Sequence, residues 1–333
     1  MALTTTTSGG GTATSFSNTP QAVNDTFNLT EDATGVSYFN VLENDLGGKA
    51  KSLWSLDDGI SSSTSTKIPA PADLLKQDTA RSEGTSTDTS MNGARIWITA
   101  DGRVGYDSST LSTTFKAQLQ ALGVGQHLTD SFTYAIRLGN GTLSWATSTV
   151  NFNGVNDEPI VSVGDVTGGV TELVTPVGNL TDTGTLTFTD VDLTDAHSVS
   201  AVTPSASALG ALTATVTTDT TGSGTGGVVT WDYTVAASAV EYLAAGQTKV
   251  ETFTFNVLDG NGGSVARTVS VTITGTNDEP IVSVGDVTGG VTELVTPVGN
   301  LTDTGTLTFT DVDLTDAHSV SAVTPSASAL GAL

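Results

Sequence analysis

Thr185-Leu-Thr-Phe-Thr-Asp-Val-Asp-Leu-Thr-Asp195 carries two messages in one alternation. Leu186 and Phe188 share one parity and Thr185, Thr187 and Thr189 the other, the pattern of a strand with one packed and one wet face. Asp190 and Asp192 continue the parity of Leu186 and Phe188, so on an unbroken strand they point with the core side chains. Carboxylates without partners are costly on that face. The strand therefore has to reach the end of its layer there, with something cationic meeting the two acids. Lys249 and Arg267 are the only basic residues of the surrounding unit. Calcium, which takes ~6–8 oxygen ligands from carboxylates, amide side chains and carbonyls, is the better candidate.

The stretch returns at 306–316 as part of a longer copy. Residues 156–212 recur without change at 277–333, an offset of 121 residues. That period is too long for a solenoid and suits a complete domain repeated as beads. Within the unit, Val229, Trp231, Tyr233 and Val235 alternate with polar residues, as do Phe253, Phe255 and Val257, and then Val269, Val271 and Ile273. With shorter runs near Ile160, Val170, Val199 and Val216, the pattern predicts about seven or eight strands, which suits an all-β sandwich. Ala236 to Ala245 is the one expected helical turn. Asp259-Gly-Asn261-Gly-Gly joins the last two strands as a tight turn.

The segment Phe132 to Asn140 aligns with Phe253 to Asn261 at the same offset, and the alignment continues to Asn156 and Asn277. The expected organisation is a disordered segment 1–20, a sandwich 21–155 with a polar surface loop at about 51–92, a sandwich 156–276, and the first half of a second identical unit at 277–333. That half lacks the strands equivalent to 229–235, 253–257 and 269–273, so it is expected to be marginal or misfolded.

Formal net charge is −24 with a pI near 4.1. Residues 1–155 hold nine basic and fourteen acidic residues, whereas 156–276 hold two and thirteen. Nucleic acid is excluded as a partner, because phosphate binding needs basic patches. Cysteine is absent, leaving core packing and metal ions as stabilisers. Residues 1–20 have neither a basic nor an apolar region of a secretory signal, and no apolar run approaches the ~20 residues of a membrane span. Secretion is expected to use a signal beyond Leu333, without membrane insertion of this segment.

Asn277-Asp278-Glu-Pro280 follows directly on the last strand of the unit, as Asn156-Asp157-Glu-Pro159 does at the earlier junction. With the Asp-x-Asp, with Leu258-Asp259-Gly-Asn261-Gly-Gly, and with Asn24-Asp25 and Val41-Leu-Glu-Asn44-Asp45 in the first domain, the chain resembles the cadherin-like tandem repeats, including VCBS repeats, of large RTX-type bacterial surface adhesins. The resemblance covers nearly everything beyond Pro20. It implies Ig-like (cadherin-like) sandwiches joined end to end, non-enzymatic, extending an adhesive tip from a bacterial cell surface. It also implies Ca²⁺ at the junctions. Carried over by position, Asn156, Asp157, Asp190 and Asp192, with Glu172 in addition, serve the first junction. Asn277, Asp278, Asp311 and Asp313 serve the second, and Asp259 and Asn261 lie near the far pole of the middle domain. Leu138 stands in the first domain where Asp259 stands in the second, which weakens or removes a site there.

His197 and His318 read as surface residues. Asp182-Thr-Gly184 and its copy Asp303-Thr-Gly305 spell an aspartic-protease triplet, but that chemistry needs two such loops sharing a proton across a closed dyad. Gly222-Ser-Gly224-Thr-Gly-Gly227 leads into a strand, so no helix N-terminus awaits a phosphate. The rival reading is a carbohydrate- or protein-binding module that uses the 51–92 loop, with Trp54 and Trp97 as contact residues.

Overall fold

The computed structural model describes residues 3–6, 12–15, 21–59, 73–296 and 298–331. Strands β1 (Leu3–Thr6) and β2 (Thr12–Ser15) pair antiparallel, so residues 1–20, expected to be disordered, contain a hairpin of β-branched threonines. The remainder of 1–20 lies outside the described residues.

The first sandwich comprises β3 (Asp25–Thr30), β4 (Val36–Phe39), β5 (Ser52–Asp57), β6 (Arg95–Ile98), β7 (Val104–Asp107), helix α1 (Thr113–Leu119), β8 (His127–Arg137) and β9 (Leu143–Asn153). A sheet in the order β3-β9-β8-β5 faces a sheet β4-β7-β6. Strand β3 runs parallel to β9, whereas the other pairs are antiparallel. Tyr106, Phe132, Phe152 and Ile136 fill the space between. Helix α1 has no counterpart in the sequence reading. Ser112 caps it by accepting a hydrogen bond from the Phe115 N–H, and Phe115 and Leu119 anchor it to the core.

The polar segment at 51–92 is not one loop. Residues 52–57 form β5 against β8, with Leu53 and Leu56 in the core, and Leu74 is buried in a short 3₁₀ turn. Residues 60–72 lie outside the described residues. Trp97 is buried with its ring over Gly105, where a Cβ would meet the indole, so it offers no binding face. Trp54 is half-buried and stacked under Arg137 at 4.8 Å.

The second sandwich comprises β10 (Ile160–Val161), β11 (Thr167–Thr171), β12 (Asn179–Thr189), β13 (Ser198–Val199), β14 (Thr203–Pro204), β15 (Ala211–Thr218), β16 (Gly227–Ala236), β17 (Thr248–Leu258) and β18 (Ser264–Thr274). The sheet β10-β12-β16-β15 faces β11-β18-β17-β13, with β14 also on β17. Leu186, Phe188, Trp231, Tyr233, Phe253 and Phe255 lie between them. The hairpin β17–β18 repeats β8–β9 at the same offset of 121 residues that aligned their sequences. A 3₁₀ turn at Ala237–Ala239 stands where the alanine-rich run predicted one.

Each sandwich also buries a carboxylate at equivalent positions of its hairpin. Asp130 accepts from the Tyr106 hydroxyl at 2.6 Å and the Asn92 N–H at 2.9 Å. Glu251 accepts from Tyr233 at 2.9 Å and from the Leu209 and Gly210 N–H groups at 2.6 and 3.1 Å. Both acids are satisfied by these partners, so they tie loops to the core and need no cation.

Among the described residues after Asn277, the strands are β19 (Ile281–Val282) and β20 (Phe309–Thr310), paired with each other.

Candidate metal centres

Among the described residues, three groups of carboxylates converge so that one oxygen from each member lies within 4.8 Å of the others: Glu31 with Asp157 and Asp192, Asp190 with Asp195 and Asp259, and Glu172 with Glu241 and Asp278.

The first group spans the junction between the sandwiches. Glu31 follows β3, and the parallel pairing of β3 with β9 carries it to the pole where the second sandwich begins. Its N–H donates to Asn153 O at 3.0 Å, and its Oε1 accepts from the Val155 N–H at 2.8 Å. From the other side, Asp192 Oδ2 accepts from the Asp157 N–H at 2.9 Å. One oxygen on each acid, Glu31 Oε2, Asp157 Oδ2 and Asp192 Oδ1, is buried without a partner. Burial pushes Glu31 up to about 7 against the Val155 hydrogen bond, with the charges of Asp192 and Asp157 adding to it. Burial likewise pushes Asp192 up to about 6 against the Asp157 N–H, with Asp195, Asp157 and Asp190 contributing. The two sandwiches also touch here. A Cβ on Gly123 would sit 2.5 Å from Thr194 Oγ1, so a glycine permits the approach.

The second group lies on the same pole but wholly inside the second sandwich. Asp259 Oδ1 accepts from the N–H groups of Asn261, Gly262 and Gly263 at 2.8, 3.0 and 2.9 Å, and Oδ2 accepts from Asn156 Nδ2 at 2.8 Å. Burial raises the Asp259 carboxyl, but the bonds from Asn156, Asn261, Gly263 and Gly262 outweigh it and hold the group below the usual carboxylate range. Asn261 Nδ2 donates to Asp195 Oδ1 at 2.7 Å, and Asp195 Oδ2 is left buried without a partner. Asp190 Oδ2 lies 3.0 Å from His197 Nε2, and His197 Nδ1 lies 2.7 Å from Asp219 Oδ1. Burial pulls the His197 imidazole down, and the hydrogen bonds to Asp190 and Asp219 outweigh it and raise it.

The third group stands at the other pole. Glu172 follows β11 as Glu31 follows β3, its N–H donating to Thr274 O at 2.9 Å and its Oε2 accepting from the Thr276 N–H at 2.9 Å. Asp313 Oδ2 accepts from the Asp278 N–H at 2.8 Å, matching Asp192 and Asp157. Glu172 Oε1, Glu241 Oε1, Asp278 Oδ2 and Asp313 Oδ1 are all buried without partners. Burial raises Glu172, Glu241 and Asp278.

The structure rearranges several expected placements. Asp259 and Asn261 sit at the near pole beside Asn156, because β17 runs back along the sandwich and its hairpin tip returns to the first junction. Glu172 lies at the second junction rather than the first, because β11 runs parallel to β18 toward Thr274. Asp190 and Asp192 turn to different groups, Asp192 to the junction and Asp190 inward. Asn277 Nδ2 donates to Asp278 O at 2.9 Å, and Asp311 Oδ2 meets His318 Nε2 at 2.8 Å. His197 is buried rather than on the surface. Glu31 and Glu241 were not in the sequence reading. A shared signal existed for Glu31, since Leu29-Thr-Glu31 and Val170-Thr-Glu172 both end the strand parallel to the hairpin.

No protein-family model and no curated protein matches the chain. Among solved structures it is similar to human CDH23 EC21-23 (17% identity, 88% of this chain and 80% of that one, TM-score 0.35). It is also similar to mouse cadherin-23 EC22-24 (15% identity, 87% and 75%, TM-score 0.34). Drosophila N-cadherin EC1-4 matches with 13% identity over 78% of this chain and 51% of that one, at a TM-score of 0.34.

Proposed function

We propose that this chain is a non-enzymatic extender of a bacterial surface adhesin of the RTX type, a rod of cadherin-like beads whose junctions are rigidified by calcium. One observation carries the reading. Each junction gathers buried and half-buried acids from both beads it joins, and each acid keeps an unpartnered oxygen. The donors are oxygen only, a set that suits a hard cation such as calcium.

The bound ion would supply the positive charge that the acids lack among themselves. The chain does the positioning. The Val155 and Thr276 N–H groups aim Glu31 and Glu172 across the junctions, and the Asp157 and Asp278 N–H groups hold Asp192 and Asp313 opposite them. Without a cation, these carboxylates repel across the linkers and the beads pivot. Extracellular calcium modules work with Kd of about 10⁻⁴–10⁻³ M, which fits a protein exported to the cell surface. The test is small-angle scattering and thermal melting of the full chain in calcium and then in chelator. A longer, stiffer and more heat-stable particle in calcium is expected, and no change in either quantity overturns the reading.

A further inference from the structure

Residues 213–276 stand between two identical halves, 156–212 before them and 277–333 after them. They complete the first. Strand β16 pairs with β12 from Asn179↔Ala236 to Phe188↔Gly227, and β18 pairs with β11 from Thr167↔Ser270 to Thr171↔Thr274. The second half leaves Leu301, Leu307 and Phe309 exposed, yet its pole is already shaped to receive the same segment. The His318 ring lies over Phe309 at 4.8 Å and 52°, and His197 lies over Phe188 at the same distance and angle. Asp311 Oδ2 meets His318 Nε2 at 2.8 Å, as Asp190 Oδ2 meets His197 Nε2 at 3.0 Å. The Ser283 N–H donates to Thr308 O at 2.8 Å, as the Ser162 N–H does to Thr187 O. What 213–276 adds to the first half is Asp219 Oδ1 at His197 Nδ1, the Gly222 N–H on Leu193 O and the Thr221 hydroxyl on Asp195 O.

We infer that 213–276 exchanges between the two halves of its own chain, pairing in a minority form with 277–333 in the register it keeps with 156–212. The two faces are chemically identical, so the apolar burial and strand pairing given up at one are regained at the other. Chain reach permits it. Thr288, the copy of Thr167, has to return ~13 Å along β18 to lie opposite Ser270, and the fourteen residues from Thr274 extend to ~46 Å. Ile281 cannot follow, since its seven residues reach ~23 Å and the length of β12 is ~36 Å, so the short β19–β20 pairing opens. A second chain in solution competes poorly with the tethered copy, whose effective concentration is in the millimolar range.

The junctions set the balance. Asp157 and Asp192 face Glu31 while 156–212 holds the bead, and Asp278 faces Glu172 and Glu241 while 277–333 stands beyond it. Exchange breaks both gatherings, so the observed form predominates, and calcium bound there locks the register. The lock rests on the extender reading, whereas the exchange does not.

The chain has no cysteine, so a pair placed in it reports a single contact. Thr181 and Thr234 are exposed partners on β12 and β16, and Thr302 is the copy of Thr181. A short thiol cross-linker is applied to full chains carrying Thr181→Cys/Thr234→Cys, Thr234→Cys/Thr302→Cys or Thr254→Cys/Thr302→Cys, in chelator and in calcium. The first pair should link fastest, in the observed register. The second should link within single chains in chelator. Adding Leu307→Asp to it should abolish the link, and adding Leu186→Asp should raise the yield severalfold, because one spoils the second half and the other the first. No link, a link only between two chains, or an equal yield from Thr254, which lies on the opposite sheet, overturns the exchange. Intrachain linking that calcium suppresses by on the order of tenfold supports both the exchange and its lock. Intrachain linking that calcium leaves unchanged supports the exchange and overturns the lock.

Discussion

Residues 156–210 and 277–331 have the same sequence and different fates. Leu186 and Phe188 are 0% and 2% exposed, whereas Leu307 and Phe309, the same residues in the copy, are 54% and 51% exposed. Strand β12 extends over Asn179–Thr189, while its copy keeps only Phe309–Thr310. The acidic pole behaves otherwise. Asp192 and Asp313 are 1% and 3% exposed, and the N–H bonds that orient them match to within 0.1 Å. The apolar face is a long-range property, made by strands β16, β17 and β18 that the copy lacks. The pole is assembled from a short loop and the preceding bead, both of which the copy has. A hydrophobic pattern of period two is therefore a statement of what a strand can bury, and its partners decide whether it does so.

The largest effect expected from this comparison comes from supplying the missing strands. A chain extended past Leu333 by a copy of residues 213–276 should fold its third bead. Amide exchange of residues 301–310 should slow by on the order of 10³-fold or more, toward the protection of 180–189. In the present chain those amides should exchange nearly as fast as in an unstructured peptide. Equal protection of the two stretches without the extension would break the comparison.

Next in size is the same substitution made twice. Leu186→Ala removes a fully buried side chain and should destabilise the second sandwich by about 2–5 kcal/mol in denaturant melts. Leu307→Ala, in identical local sequence, should change stability by no more than about 0.5 kcal/mol. Similar losses from both would mean that the copy buries its face in solution.

The sequence made much of this legible. The alternation in 185–195 gave the strand, its packed face and the point where acids replace hydrophobics, and the offset of 121 residues located both hairpins. What it hid was which pole each acid reaches. Asp259 lies 69 residues beyond Asp190 in the chain, and only the antiparallel return of β17 makes them neighbours. Glu31 is 126 residues from Asp157 and arrives through a parallel pairing that leaves no local trace. His197 looked like a surface residue because one of its partners, Asp219, sits in the loop between β15 and β16, out of reach of any local pattern.

A smaller effect should be nearly equal at the two poles. Asp192→Asn and Asp313→Asn each remove charge from a carboxylate that has one orphaned oxygen, and each should weaken calcium binding at its own junction by about tenfold or more. Calorimetric titration of the two variants checks this. A loss confined to Asp192→Asn would show that the pole needs the complete sandwich behind it after all.

The smallest effect is in pH, and its sign is unusual. Burial lifts Glu31 from 4.5 to about 7 and Asp192 from 3.8 to about 6 when no cation is bound. Both folded values lie above the unfolded ones, so the folded chain holds protons that the unfolded chain has already lost. Between about pH 4 and 7 these groups therefore contribute stability that is present at the acid end and fades as the pH rises. In chelator, the first two sandwiches should melt higher at pH 5.5 than at pH 7.5, by on the order of a few degrees. Glu31→Gln, which cannot ionise, should flatten that slope. In calcium, the ligated carboxylates must give up their protons, so the slope should level or reverse, and calcium binding at pH 6 should release protons into the buffer. A chelated chain whose melting point instead drops on acidification would mean that Glu31 and Asp192 remain ionised without a cation, and that the junction's orphaned oxygens are met by water.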